Sequence, residues 1–169
     1  TWASPAIGYF NDDDIPDVFA SFSTGMWPQY VASYHAAFDG RNGDILWEQT
    51  EPHPYMASPV AVDVDADGRD EVIVLTADAW YHTSDIVVVD VADGSVRRTS
   101  GLRGRAVSTP VIADMDGDGT LEMVTAMWLG PLAGSTWTIQ RRSLGIADAG
   151  RIAWGAYLGT NYDGVFVGR

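Results

Sequence analysis

The chain repeats itself three times, and that constrains its fold more than any single motif. Aligned on Pro5, Pro59 and Pro110, which lie 54 and 51 residues apart, three units come into register: SPAIGYFNDDDIPDVFASF, SPVAVDVDADGRDEVIVLT and TPVIADMDGDGTLEMVTAM. Each gives a short apolar run, an acidic loop and a second apolar run. Further along, each unit carries another pair: SYHAAFDGRNGDILWEQ, DIVVVDVADGSVRRTS and TWTIQRRSLGIADAGRIAWGAY, each read as a run, a Gly-containing turn and a run. A period of this length is the signature of a repeat architecture.

The runs are short, rich in Val, Ile, Phe, Tyr and Trp, and bounded by Gly, Asp and Asn, which is the pattern of strands and turns. Apolar residues at helical spacing are not sustained anywhere for about ten residues. The expectation is therefore an all-β chain: a β-propeller segment of about three four-stranded antiparallel blades. The blades fall roughly at 1–54, 55–105 and 106–158, with 159–169 starting a further one. Radial packing of blades covers sheet faces that would otherwise invite aggregation. Three blades do not close a ring, so the remaining blades are expected from a longer chain or from other copies.

Aromatic residues recur in phase with the units. Trp27, Trp80 and Trp128 follow the second strand of each, while Trp47 and Trp154 fall on the fourth strand. Packing between blades is the expected role, with a binding face formed by the first three as the alternative.

The 169 residues, 46% hydrophobic, are enough for one ordinary core. Charge is lopsided: 23 acidic against 10 basic side chains, and every basic one is Arg. A net charge of −13 argues against nucleic acid or an anionic membrane surface as partner. No apolar run approaches the eighteen or so residues of a membrane span. Cysteine is absent, which removes disulfides, thiolate metal sites and cysteine nucleophiles.

Part of the acidity is concentrated where it repels itself. In DVDADGRDE the first, third, fifth and ninth positions are Asp63, Asp65, Asp67 and Glu71; in DMDGDGTLE they are Asp114, Asp116, Asp118 and Glu122. Like charges this close cost on the order of 1 kcal/mol per pair near a surface, so a cation is expected. Alternate spacing lets a tight turn aim successive carboxylates at one point. Gly68 and Gly119 at the sixth position permit the left-handed backbone of such a turn, and the carbonyls of Arg69 and Thr120 at the seventh can add an oxygen. Hard oxygen donors without His or Cys favour Ca2+ over zinc or copper, and Mg2+ prefers fewer protein ligands and more water. An EF-hand is excluded, because Val74 and Thr125 stand where its twelfth-position Glu belongs and the loop exits into a strand. In the first unit Tyr9 replaces the first carboxylate and Asp14 the Gly. Only Asn11, Asp13 and Asp17 remain, and the expected binding there is weak or absent.

With these residues in place, the units resemble FG-GAP (VCBS-type) repeats, the calcium-loop blades of integrin alpha-subunit propellers and of many secreted bacterial proteins. The resemblance is carried by the Pro four residues before the first ligand, by D-x-D-x-D-G-x-x-E in units two and three, and by the flanking strands. It implies a calcium-binding module for protein or carbohydrate interaction, adhesion or assembly, secreted or at the cell surface. A second, local resemblance joins DGRNGDILWEQ at 39–49 to the turn of quinoprotein-type propellers; the residues read as strand, turn, strand, with Trp47 packed on a neighbouring blade.

The alternative function is part of a secreted propeller enzyme, a polysaccharide lyase or a quinoprotein-like oxidoreductase. His35, His53, His82 and Tyr81 are the available acid–base groups, and they form no recognisable catalytic constellation. Arg97, Arg98, Arg103 and Arg105 are the basic residues that a groove for an acidic sugar would need; otherwise they belong to a solvated connection between blades.

Overall fold

The computed structural model describes residues 3–26, 29–52, 57–77, 83–130, 136–148, 152–161 and 163–168. They form three antiparallel sheets and no helix. The first comprises β1 (Ala6–Gly8), β2 (Asp17–Met26), β3 (Gln29–Phe38) and β4 (Ile45–Glu51), hydrogen-bonded in chain order. The second repeats that meander with β5 (Val60–Val62), β6 (Glu71–Ala77), β7 (Thr83–Val89) and β8 (Val96–Arg103). The third contains β9 (Arg105–Ala106), β10 (Val111–Ala113), β11 (Thr120–Leu129) and β12 (Thr136–Ala147). They are successive blades of a β-propeller segment, side by side and not closed into a ring.

Strand periodicity explains why the blades stack. Side chains of a strand alternate between its two faces, so β6 sends Val72 and Val74 one way and Ile73 and Leu75 the other. Val72 and Val74 join Phe19, Ala37 and Trp47 of the first blade, together with Val87 and Val89, in one buried cluster. Ile73 and Leu75 join Ile112, Leu121, Met123 and Met127 of the third in another. A middle blade buried on both faces needs an unbroken apolar run, which is what EVIVLTA supplies. Each fully buried side chain of this size contributes about 1.5–3 kcal/mol.

The hairpin turns between the third and fourth strands are chemically matched in the first two blades. Asp39 donates its N–H to the Asp44 carbonyl and accepts from Gly43, at 2.8 Å each; Asp90 does the same with Ser95 and Gly94, at 3.0 Å. DGRNGDILWEQ is thus strand, turn, strand, and Trp47 lies against Phe19 with ring centroids 5.9 Å apart, facing the second blade. In the same layer, His35 is stacked on Phe19 at 6.1 Å and its Nδ1 lies 2.8 Å from the Ser21 hydroxyl. It lines a small cleft between the blades with Gln49, Glu51, Val74 and Val87.

The third unit departs from expectation. Its expected pair of outer strands, TWTIQRRSLGIADAGRIAWGAY, forms one twelve-residue strand, β12, and no partner strand follows among the described residues. The fourth member of the sheet is instead β9, which pairs with β11 at Met127 and Trp128 on the side where β10 pairs with Val124. Trp154, expected on a fourth strand, exchanges two 3.0 Å backbone hydrogen bonds with Ala61 of β5, and Gly155 accepts from Ile112 of β10 at 2.9 Å. The segment therefore runs along the inner strands of blades two and three. The described residues after 159 contain no strand, and Phe166 packs on Tyr9 at 5.6 Å. Trp128 lies within β11, stacked on the exposed Trp137 at 6.0 Å. Trp27, Trp80, Tyr81, His53 and His82 lie outside the described residues.

Candidate metal centre

Each acidic loop joins the first strand of a blade to the second, so the strands fix where its ends sit. The ninth-position carboxylate is the anchor. Glu71 accepts the Val64 N–H at 2.6 Å, Glu122 accepts the Met115 N–H at 3.0 Å, and Asp17 accepts the Phe10 N–H at 2.9 Å. All three acids are buried. A carboxylate at the start of each second strand thus reaches back to the second residue of its own loop and closes it.

In loop two, oxygens of Asp63, Asp65 and Glu71 come within 4.8 Å of one another. Asp63 and Glu71 are buried and Asp65 is exposed, so the cluster is open on one side. Gly68, at φ +97°, turns its N–H onto Asp63 at 3.1 Å, which is the left-handed turn expected at the sixth position. Burial, followed by the charges of Asp65, Asp90 and Asp63, pushes the Glu71 carboxyl up to about 7. Asp67 is not part of the cluster: it pairs with the Arg69 guanidinium, which also holds Asp12 of loop one at 2.9 Å.

Loop three builds the same cluster from Asp114, Asp116 and Glu122, again within 4.8 Å. Gly119, at φ +83°, donates to Asp114 at 3.0 Å, and Asp118 accepts from the Thr120 N–H at 2.8 Å. Here a cation is present: Arg141 of β12 pairs with Asp116 and lies 3.2 Å from Glu122. It holds the Asp116 carboxyl below the usual carboxylate range.

Loop one satisfies Asp13 and Asp17 within its own blade. Besides Phe10, Asp17 accepts from Gly40 at 3.0 Å and from the Asn11 amide at 3.4 Å. Asp13 accepts from Ile15 at 2.8 Å and pairs with Arg41 at 3.2 Å. Tyr9, buried where the other loops have their first carboxylate, gives its N–H to Asp70 at 2.8 Å and accepts the Asp70 N–H at 2.8 Å. Asp70, outside the alternate spacing that marks ligands, therefore ties loop two to loop one. Spacing alone could not reveal this role, because Tyr9 lies sixty-one residues away.

The donor set of loops two and three, three convergent carboxylates with no nitrogen or sulfur, fits a hard divalent cation. The arginines expected either in a groove or in a connection divide. Arg98 pairs with Glu51 of the first blade at 3.1 Å and with Asp85 at 3.2 Å, tying blades one and two, while Arg97 and Arg103 are exposed on β8. His35 is 3% exposed, at the cleft between the first two blades.

No protein-family model matches the chain, and no curated protein matches it. Among solved structures it is similar to a europium-containing methanol dehydrogenase, at 14% identity and a TM-score of 0.42 over 88% of this chain. The chain spans 23% of the length of that protein.

Proposed function

We propose that this chain is a calcium-binding propeller segment of the FG-GAP (VCBS) type, an interaction or assembly module that works outside the cytoplasm. One observation carries the reading: the same three-carboxylate cluster is built twice, at the same phase of the repeat, on a buried Glu that closes its loop. Calcium fits better than magnesium, because a flexible oxygen-rich loop open on one side suits its larger and less regular coordination shell. The carbonyls of Arg69 and Thr120 and the carboxylates of Asp67 and Asp118, at the seventh and fifth positions of the same loops, would be further ligands, Asp67 once released from Arg69. The ion's role is structural: it neutralises the carboxylates at the junction of two strands. Loops of this kind suit millimolar calcium, hence a secreted or cell-surface setting.

Supporting a larger assembly, β12 leaves Trp137 and Ile139 exposed at 65% and 77%, opposite Trp128 and Ala126 of β11. Further blades, from a longer chain or from other copies, would cover that side. A protein or glycan partner is expected at the loops rather than a polyanion, given the net charge of −13.

Thermal melts of the whole protein test the metal. At a hundred times the dissociation constant each occupied loop adds about 2.7 kcal/mol, which raises Tm by roughly 5–10 °C for a protein of this size. Millimolar calcium should produce that rise, equimolar magnesium much less, and chelator should reverse it. An identical Tm in calcium and in chelator would overturn the proposal.

A further inference from the structure

The two clusters look alike in sequence and differ in what already balances their charge. We propose that Arg141 is a tethered counter-cation of loop three that competes with the divalent ion, so that loop two fills first and loop three fills only when Arg141 is displaced. This rests on the reading of both loops as cation sites.

The strand register shows why only loop three has such a device. The second residue after the ninth-position acid faces the neighbouring strand at Arg141 in blade three, where Val124 is its partner. In blade two the corresponding pair is Ile73 and Val88, and in blade one it is Phe19 and Ala37. β12 thus places a guanidinium where its counterparts place aliphatic groups. The Arg141 guanidinium reaches Asp116 and Glu122, two of the three clustered acids. The arginine of loop two is placed differently: Arg69 belongs to the loop itself and is turned to Asp67 and Asp12, neither of them in the cluster. Loop two consequently has no guanidinium on any of its three clustered acids, whereas loop three has one on two of them.

Arg141 can also leave. Its side chain is 48% exposed, and its pair with Asp116, itself 44% exposed, is open to water and therefore weak. A calcium ion with several oxygens can outweigh that pair, so Arg141 weakens binding without abolishing it. The module then has two calcium thresholds, the lower at loop two.

The test is calorimetric titration of the whole protein with CaCl2, as wild type, Asp65→Asn, and Asp65→Asn combined with Arg141→Gln or Arg141→Lys. Wild type should show two binding events of unequal affinity, the tighter one lost in Asp65→Asn. In that background Arg141→Gln should tighten the remaining site about three- to tenfold, whereas Arg141→Lys, which keeps the charge, should stay closer to the wild-type value. In chelator, Arg141→Gln should melt below its parent, and calcium should more than restore it. Unchanged or weaker binding after Arg141→Gln, with loop two still binding in wild type, would overturn the competition and leave the calcium reading intact. Absence of binding at both loops in every protein would overturn both.

Discussion

Replacing Glu71 by Gln is expected to move stability in opposite directions with and without calcium. In chelator at pH 8 the Glu71 carboxylate is ionised, buried and close to Asp63 and Asp65. An acid whose folded value is raised to about 7 is a liability above that pH, because the unfolded chain ionises it at lower cost. Gln keeps an oxygen to accept the Val64 N–H and removes the charge, so the metal-free protein should gain about 1–3 kcal/mol. In saturating calcium the order reverses. The variant loses a ligand and with it most of the roughly 2.7 kcal/mol that an occupied loop supplies at a hundred times the dissociation constant. Paired melts in chelator and in calcium read both halves. A variant less stable than wild type in chelator would show that Glu71 acts through its hydrogen bond rather than its charge.

The second large effect is a dependence on pH set by His35. Burial between the first two blades depresses its pKa from 6.5 to about 4. The sign follows from which state takes up the proton first. As pH falls below about 6.5 the unfolded chain protonates this imidazole while the folded one does not, so stability is complete above that value and declines toward pH 4. The loss approaches 3 kcal/mol and levels off below about 4. Glu51 lies in the cleft with His35 and pairs with Arg98, so the His35 contribution is read as a difference between proteins. Denaturant unfolding from pH 8 to pH 4 should show a shallower decline for His35→Gln than for wild type. Parallel declines would mean that His35 accepts its proton in the folded protein without penalty.

Much of this was legible in the sequence because repetition multiplies weak signals. One D-x-D-x-D-G stretch is an acidic turn like many others, whereas two at the same distance from a Ser/Thr-Pro pair locate both the blade and its loop. Gly68 and Gly119 announced the left-handed turn, and Tyr9 and Asp14 marked loop one as different. What spacing could not carry was everything that depends on register or on contact across blades. Arg141 reaches loop three only because β11 and β12 pair as they do, and a basic residue far along the chain carries no mark of that. Asp70 reads as one more acid in an acidic loop, yet it is the clasp to Tyr9. The apolar run IAWGAY indicated burial but not the partner. Trp154 and Ala156 are buried, as a fourth strand would require, and the backbone hydrogen bonds of Trp154 go to β5.

A calcium ion among Asp63, Asp65 and Glu71 of loop two is what the proposed function requires first. Its most direct test is diffraction from crystals of the protein grown in calcium, with data collected where calcium scatters anomalously. An anomalous peak is expected between those three carboxylates, with oxygens at about 2.3–2.6 Å. A weaker peak is expected at loop three, rising as calcium is raised, and none at loop one. Well-ordered carboxylates in loop two with no peak between them, at calcium concentrations in the millimolar range, would contradict the proposed function.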